Sequence, residues 1–187
     1  MRVISGLAKG KRLEALEGDD VRPTTDRVKE AVFSIIQFNI EGRRFLDLFS
    51  GSGQMGIEAL SRGARQAVFV DQSRRSVRII NNNIDTAGFR SASKVVNCDA
   101  ASFLAGNTEK FDIAFLDPPY STGLLQNVLP AVSLNMTKSG LIICESPLKE
   151  ELPEKIGEFS LDRSYRFCQE KIRQFFQVVL LLVDFHK

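Results

Sequence analysis

The hydrophobic positions of this chain change period several times, and the changes mark out its elements. Val28, Ala31, Val32, Ile35 and Ile36 recur at helical spacing, and Arg22-Pro23-Thr24-Thr25-Asp26-Arg27 places helix-start residues just before them. From residue 44, short and nearly continuous apolar runs alternate with helix-period segments. Strands are predicted at 44–49, 66–70, 93–98, 111–116 and 139–145. Helices are predicted between them, at 54–62, 74–87, 100–105 and 124–134. Such an alternation predicts an α/β fold with a doubly wound, mostly parallel sheet. After Pro147, residues 158–167 and 173–185 read as two longer strands. They would complete a seven-stranded sheet with an antiparallel C-terminal hairpin. Residues 2–16 alternate loosely around Gly6 and Gly10 and read as a short hairpin. The expected organisation is a small N-terminal basic arm, 1–22, on one domain, 23–187.

Composition narrows the class. With 187 residues, 43% hydrophobic and 26% charged, the chain has an ordinary globular balance. No apolar run is long enough for a membrane helix, and Met1-Arg2 does not lead into a secretory h-region, so a cytoplasmic location is expected. Cys98, Cys144 and Cys168 are odd in number and widely spaced, which argues against a disulfide framework or a zinc site. The net charge of +2 is uninformative, but its distribution is not. Residues 1–13 carry Arg2, Lys9, Lys11 and Arg12 with no acid, and Arg62, Arg65, Arg74, Arg75 and Arg78 form a second basic group. A basic stretch is more often a solvated face than a nucleic-acid site. The first group carries more weight because it coincides with the glycine-punctuated arm.

The candidate chemistry lies at predicted strand ends. The first strand runs into Ser50-Gly51-Ser52-Gly53-Gln54-Met55-Gly56, a G-x-G-x-x-G spacing that lets backbone approach a ligand. Asp71 ends the second strand, 20 residues after Gly51, and is placed to take ribose hydroxyls of either NAD or a nucleoside-type cofactor. Asp47 favours the second reading, because a carboxylate before the loop repels a pyrophosphate but suits the cationic amino acid end of S-adenosylmethionine. After the third strand, Asp99 can accept from an adenine amino group while the Ala100 N–H donates to the ring. After the fourth comes Asp117-Pro118-Pro119-Tyr120. Two prolines fix φ and remove backbone donors, leaving a stiff corner with outward carbonyls, a carboxylate and a flat ring. Such a corner can hold an amino group on a planar base. Taken alone, it also reads as a tight turn capped by an acid.

Asp47-Leu48-Phe49-Ser50-Gly51-Ser52-Gly53, Asp71, Asp99 and Asp117-Pro118-Pro119-Tyr120 resemble the ordered motifs of class I S-adenosylmethionine-dependent methyltransferases, which are Rossmann-like. More narrowly, Arg2-Val3-Ile4-Ser5-Gly6 with Lys9-Gly10-Lys11, Arg22-Pro23-Thr24 with Asp26-Arg27, and Gly56-Ile57-Glu58-Ala59-Leu60-Ser61-Arg62-Gly63-Ala64 resemble the bacterial 16S ribosomal RNA guanine-N2 methyltransferase family. The resemblance covers about residues 1–147. It implies methyl transfer to a guanine N2 with Asp117, Pro118, Pro119 and Tyr120 as catalytic residues and no metal. It further implies cofactor contacts from Asp47, Phe49, Ser50, Gly51, Gly53, Asp71, Gln72, Asp99, Ala100 and Asp117. RNA contacts are expected from Arg2, Lys9, Lys11, Arg12, Arg22, Thr24 and Arg27, with the 16S RNA in a small-subunit assembly particle as partner and a monomeric enzyme. The chain departs from the family at Glu170-Lys171-Ile172-Arg173-Gln174, where members usually carry a Tyr-Gly-type turn. Adenine-N6 methyl transfer on DNA or RNA stands as the alternative. An NAD-dependent oxidoreductase and a non-catalytic RNA-binding module are further ones.

Overall fold

The computed structural model describes residues 1–16, 26–119, 123–147, 150–169 and 174–183; for Arg27, 167–169 and 174–183 it describes the backbone alone. The elements in chain order are α1 (Asp26–Ile35), β1 (Arg44–Leu48), α2 (Gln54–Ser61), β2 (Gln66–Val70), α3 (Arg74–Ala87), β3 (Ser93–Val96), α4 (Ala100–Gly106), β4 (Phe111–Leu116), α5 (Leu124–Leu134), β5 (Met136–Pro147), β6 (Lys155–Ile156), β7 (Phe159–Gln169) and β8 (Gln174–Val183). They form one sheet in the order β3-β2-β1-β4-β5-β8-β7-β6. The first five strands pair in parallel, and β8 joins β5 antiparallel and pairs with β7 as the expected hairpin. The α/β doubly wound fold is therefore as the pattern predicted.

Three details differ from the sequence reading. The two-residue edge strand β6 adds an eighth strand, too short for any periodicity to reveal. The third strand ends at Val96 rather than at residue 98, because Asn97 turns away and its amide donates to Asp71 O at 2.9 Å and Gln72 O at 3.0 Å. β5 extends two to three residues beyond the predicted run at each end. The atypical turn residues 170–173 lie outside the described residues.

Alternate strand residues feed two apolar layers. Phe45, Phe69, Ile113, Phe115 and Ile143 face the side covered by the arm, α1, α2 and α3. Leu46, Val68, Ala114, Leu116 and Ile142 face α4 and α5. The pleat sends successive side chains to opposite faces, so a strand covered on both sides must be apolar throughout. Asp47 breaks that rule on β1, and its position in the register governs the site.

The arm lies against the domain along its length. Arg2 and Arg12 form an antiparallel bridge, and Val3, Ala8 and Leu13 are buried in the first layer. The Glu58 carboxylate on α2, fully buried, accepts from the N–H groups of Ile4 at 2.8 Å and Ser5 at 3.0 Å. Buried Lys29 on α1 faces Glu58 at 3.9 Å and donates to Arg2 O at 2.6 Å. Burial lowers the Lys29 pKa below the ordinary lysine value, opposed by the neighbouring Glu58 and Asp26 carboxylates. At the turn, Ser61 O accepts from Leu7 N, and the Ser61 hydroxyl donates to Ser5 O while accepting from Ala8 N. Gly6 is required there: its φ is +80°, and a Cβ would sit 1.7 Å from Ser61 O.

Candidate active site at the strand ends

Register puts the functional positions in one line. Val96, Val70, Leu48, Leu116 and Cys144 are matched partners across β3, β2, β1, β4 and β5, so the five parallel strands reach the same level. Asp71 and Asp117 follow directly after β2 and β4, and the glycine loop follows β1 between them. Strand order reverses at β1, with β2 on one side and β4 on the other. That switch point is where open α/β sheets form a ligand crevice. Two strand spacings place Asp71 and Asp117 roughly 10 Å apart along the crevice, a span that suits an elongated nucleoside ligand.

The loop itself is shaped by three observations. Phe49 has φ 75°, the one positive value at a non-glycine among the described residues, and Gly51 and Gly53 follow at 56° and 77°. The backbone thus coils left-handed immediately past β1, a conformation that concentrates at functional sites. Ser50 is buried, and its hydroxyl donates to Asp47 O at 2.5 Å and accepts from Val70 N at 2.9 Å, clamping the loop to the β1–β2 ladder. Gly56 is needed for packing: a Cβ there would stand 2.3 Å from Cε1 of Phe69. The first two glycines serve the turn and the third serves close helix–sheet contact, the division expected of the spacing.

Each acid has a distinct environment. Asp47 is 2% exposed, and its register neighbours are Phe69 on β2 and Phe115 on β4. Its carboxylate lies beneath the loop, accepting from Gly56 N at 2.9 Å. Burial pushes its pKa up to about 7, the Gly56 N–H bond opposes this, and the nearby Asp71 charge adds to it. Asp71 is half-buried and pins the loop, one oxygen accepting from Gly51 N at 2.9 Å and the other from Ser73 N at 2.8 Å. Asp99 is exposed and caps α4, accepting from Ser102 N at 2.9 Å and the Ser102 hydroxyl at 2.7 Å. Those two bonds, the hydroxyl first, hold its pKa below the usual carboxylate range. Asp117 is half-buried, Pro118 buried and Pro119 exposed at the end of β4. Gln72 is exposed and Ala100 buried beside these acids. Tyr120, Arg22 and Thr24 lie outside the described residues, as does the side chain of Arg27.

The basic arm residues spread over the arm. Arg2, Lys9, Lys11 and Arg12 are all exposed. The Lys11 ammonium donates to Thr86 O at 2.9 Å and Ala87 O at 3.4 Å, where it complements the C-terminal end of α3. Lys9 lies at the arm's turn, beside the C-terminal end of α2. The rise along that helix separates this end from the glycine loop by roughly 12 Å. Sequence reasoning missed Glu58, Lys29, Ser61 and Asn83, the buried polar residues that hold the arm. Their signal was a polar residue on the apolar face of a predicted helix, which periodicity alone does not assign a partner.

A twisted parallel sheet with this strand order, a left-handed glycine loop after β1 and acids after the neighbouring strands defines the class I methyltransferase fold, whose members use S-adenosylmethionine. The comparisons are more specific. The model of the family described as Conserved hypothetical protein 95 matches residues 1–176, and the chain belongs to that family. It is 36% identical over 165 residues to ribosomal RNA small subunit methyltransferase D of Escherichia coli K12, covering 87% of this chain and 83% of that protein. It is 35% identical over 138 residues to the methyltransferase of the same name from Haemophilus influenzae, covering 72% of each. The solved structure of yhhF from Escherichia coli superposes with a TM-score of 0.83 at 32% identity, over 98% of both chains. These matches bear out the family resemblance carried by the motifs.

Proposed function

We propose that the chain transfers a methyl group from S-adenosylmethionine to the exocyclic N2 of a guanine in small-subunit ribosomal RNA. The observation that carries this is the position of Asp117-Pro118-Pro119 at the end of β4, directly across the switch point from the glycine loop. The residues fit the cofactor. Asp71 keeps lone pairs for ribose hydroxyls while both its oxygens hold the loop, and Asp99 keeps exposed lone pairs while capping α4. Asp47, whose pKa of about 7 poises it between carboxyl and carboxylate beneath the loop, acts on the cationic end of the cofactor through the field of its ionised form. When bound, the cofactor supplies an electrophilic methyl on a sulfonium. The crevice between the loop and Asp117 supports this reading of where it would bind.

A guanine amino nitrogen is a weak nucleophile because its lone pair is delocalised into the ring. The Asp117 carboxylate and the Pro118 carbonyl accept its two hydrogens in this reading. They orient the lone pair and stabilise charge developing on nitrogen. Tyr120 stacks on the base, which has left its helix or loop to reach the pocket. Arg2, Lys9 and Arg12, with Arg22, Thr24 and Arg27, engage phosphates and fix the orientation of the RNA. The setting is a cytoplasmic enzyme acting as a monomer on an assembling small-subunit particle. Asp117→Ala should lower kcat by about 10²–10³-fold with the fold and cofactor binding intact. The assay is methyl transfer to small-subunit particles lacking the modification, with the product nucleoside identified. Normal transfer by the variant removes the catalytic assignment, and N6-methyladenosine as product transfers the reading to adenine.

A further inference from the structure

The arm and the glycine loop share a buried side chain. Asn83 on α3 is 1% exposed, and all three of its principal hydrogen-bonding capacities are taken. Its amide donates to Ser52 O in the glycine loop at 2.9 Å and to Glu14 O in the arm at 2.9 Å, and its carbonyl accepts from Glu14 N at 2.7 Å. An amide has two donors facing one acceptor side, so it alone among small side chains can read both backbone groups of Glu14 and hold a third group. Ser52 is the residue between the two left-handed glycines. Its peptide is held by Asn83 on the carbonyl side and by the Gly53 N–H to Ser50 O bond, 2.7 Å, on the other.

Two further contacts bring the arm to the same loop. The Ser52 hydroxyl lies 3.5 Å from Met1 Sδ. A Cβ built on Gly51 would stand 3.6 Å from Cδ1 of Leu16. The described part of the arm, residues 1–16, therefore runs along α2 from Met1 to its turn at Ser61, returns past α3, and brings Met1 and Leu16 to the glycine loop.

We propose that Asn83 is a positioning residue that makes the N-terminal arm part of the cofactor site: it orients the Ser52 peptide of the glycine loop through the backbone of Glu14. This inference rests on the S-adenosylmethionine reading given above. The arm then has two tasks, one toward RNA through its outer side chains and one toward the cofactor through its inner backbone. Losing the bridge leaves the Ser52 carbonyl buried without its donor and lets the peptide rotate, so cofactor affinity falls while the chemistry at Asp117 is untouched.

Two variants test it from opposite sides. Asn83→Asp keeps the acceptor for Glu14 N but loses both donors. Glu14→Pro removes the arm's N–H to Asn83, together with an exposed carboxylate that accepts from Asn82 Nδ2 at 3.1 Å, and leaves both Asn83 donors in place; Glu14→Gln, which keeps the N–H, controls for the lost carboxylate. Asn83→Asp and Glu14→Pro should each raise the KM for S-adenosylmethionine, and the Kd for S-adenosylhomocysteine by calorimetry, about tenfold or more, the cost of one buried group left unsatisfied. At saturating cofactor kcat should stay within about threefold, and the double variant should be no worse than the poorer single one. Unchanged cofactor affinity in folded Glu14→Pro overturns the proposal, as does a fall in kcat at unchanged KM. If Asn83→Asp fails to fold, the Glu14→Pro result decides alone. Failure of the wild-type protein to bind S-adenosylhomocysteine would be a failure of the cofactor reading and is seen before either variant is made.

Discussion

The carboxyl of Asp47 offers a stringent test of how this site is charged. It occupies the β1 position between Phe69 and Phe115, where the sheet is otherwise apolar, and its pKa stands at about 7 against an ordinary 3.8. The folded state thus holds this proton more tightly than the unfolded chain does. The stabilising effect is fully present below the unfolded value and is lost as pH rises toward the folded one. A displacement of about three units corresponds to roughly 4 kcal/mol, lost at about 1.4 kcal/mol per pH unit between about pH 4 and 7. Asp47→Asn preserves shape and the acceptor for Gly56 N–H but cannot ionise. Urea unfolding of both proteins from pH 4.5 to 8 provides the assay, read as the difference between their stabilities. That difference should swing in favour of the Asn variant by roughly 3–4 kcal/mol across the range, less a constant cost for the amide's unmatched donors. A cationic ligand restores the ionised form, so S-adenosylmethionine affinity should rise with pH in the wild type and not in the variant. Parallel stability curves for the two proteins would refute the reasoning, because the carboxyl would then titrate as it does in the unfolded chain.

The arm supplies the remaining predictions. Lys29→Met removes the second cation beside buried Glu58, at 3.9 Å, and the donor to Arg2 O, while Arg62 still pairs with Glu58 at 2.8 Å; it should cost about 1–3 kcal/mol by chemical denaturation. Gly6→Ala demands space that Ser61 O already fills and a φ of +80°, so it should destabilise by about 1–3 kcal/mol and make residues 1–16 the first site of limited proteolysis. Lys9→Met should lower the salt slope of RNA binding by about 0.7–0.9, the value of one phosphate contact. Lys11→Met should leave that slope nearly unchanged and instead lower stability by about 0.3–1 kcal/mol, since its ammonium sits on the carbonyls ending α3.

Much of this molecule was legible in one dimension. Alternating apolar runs placed β1, β2, β4 and all five helices within a residue or two, because burial on both faces forces continuous apolar strands and burial on one face forces helical spacing. Glycines and prolines located the loop and the corner, since both act through backbone conformation and carry their meaning without a neighbour. Local hydrogen bonding was legible less well. The sequence marked Asp99 as a strand-end acid but did not show that its carboxylate also caps α4 through Ser102. Nor did the sequence show that the Lys11 ammonium reaches a helix end 75 residues away.

What the sequence determined by itself was therefore the order of elements, the fold class, the strand-end acids and the family to which their spacing belongs. Tertiary structure alone decided which charges are buried and what they hold. Asp47 became a group titrating near neutrality only when register set it between two phenylalanines. Lys29, Glu58 and Asn83 became the seam between arm and domain only when α1, α2 and α3 came together. Periodicity is a property of neighbours along the chain, but desolvation and long-range hydrogen bonds depend on neighbours in space, and those exist only once the chain has folded.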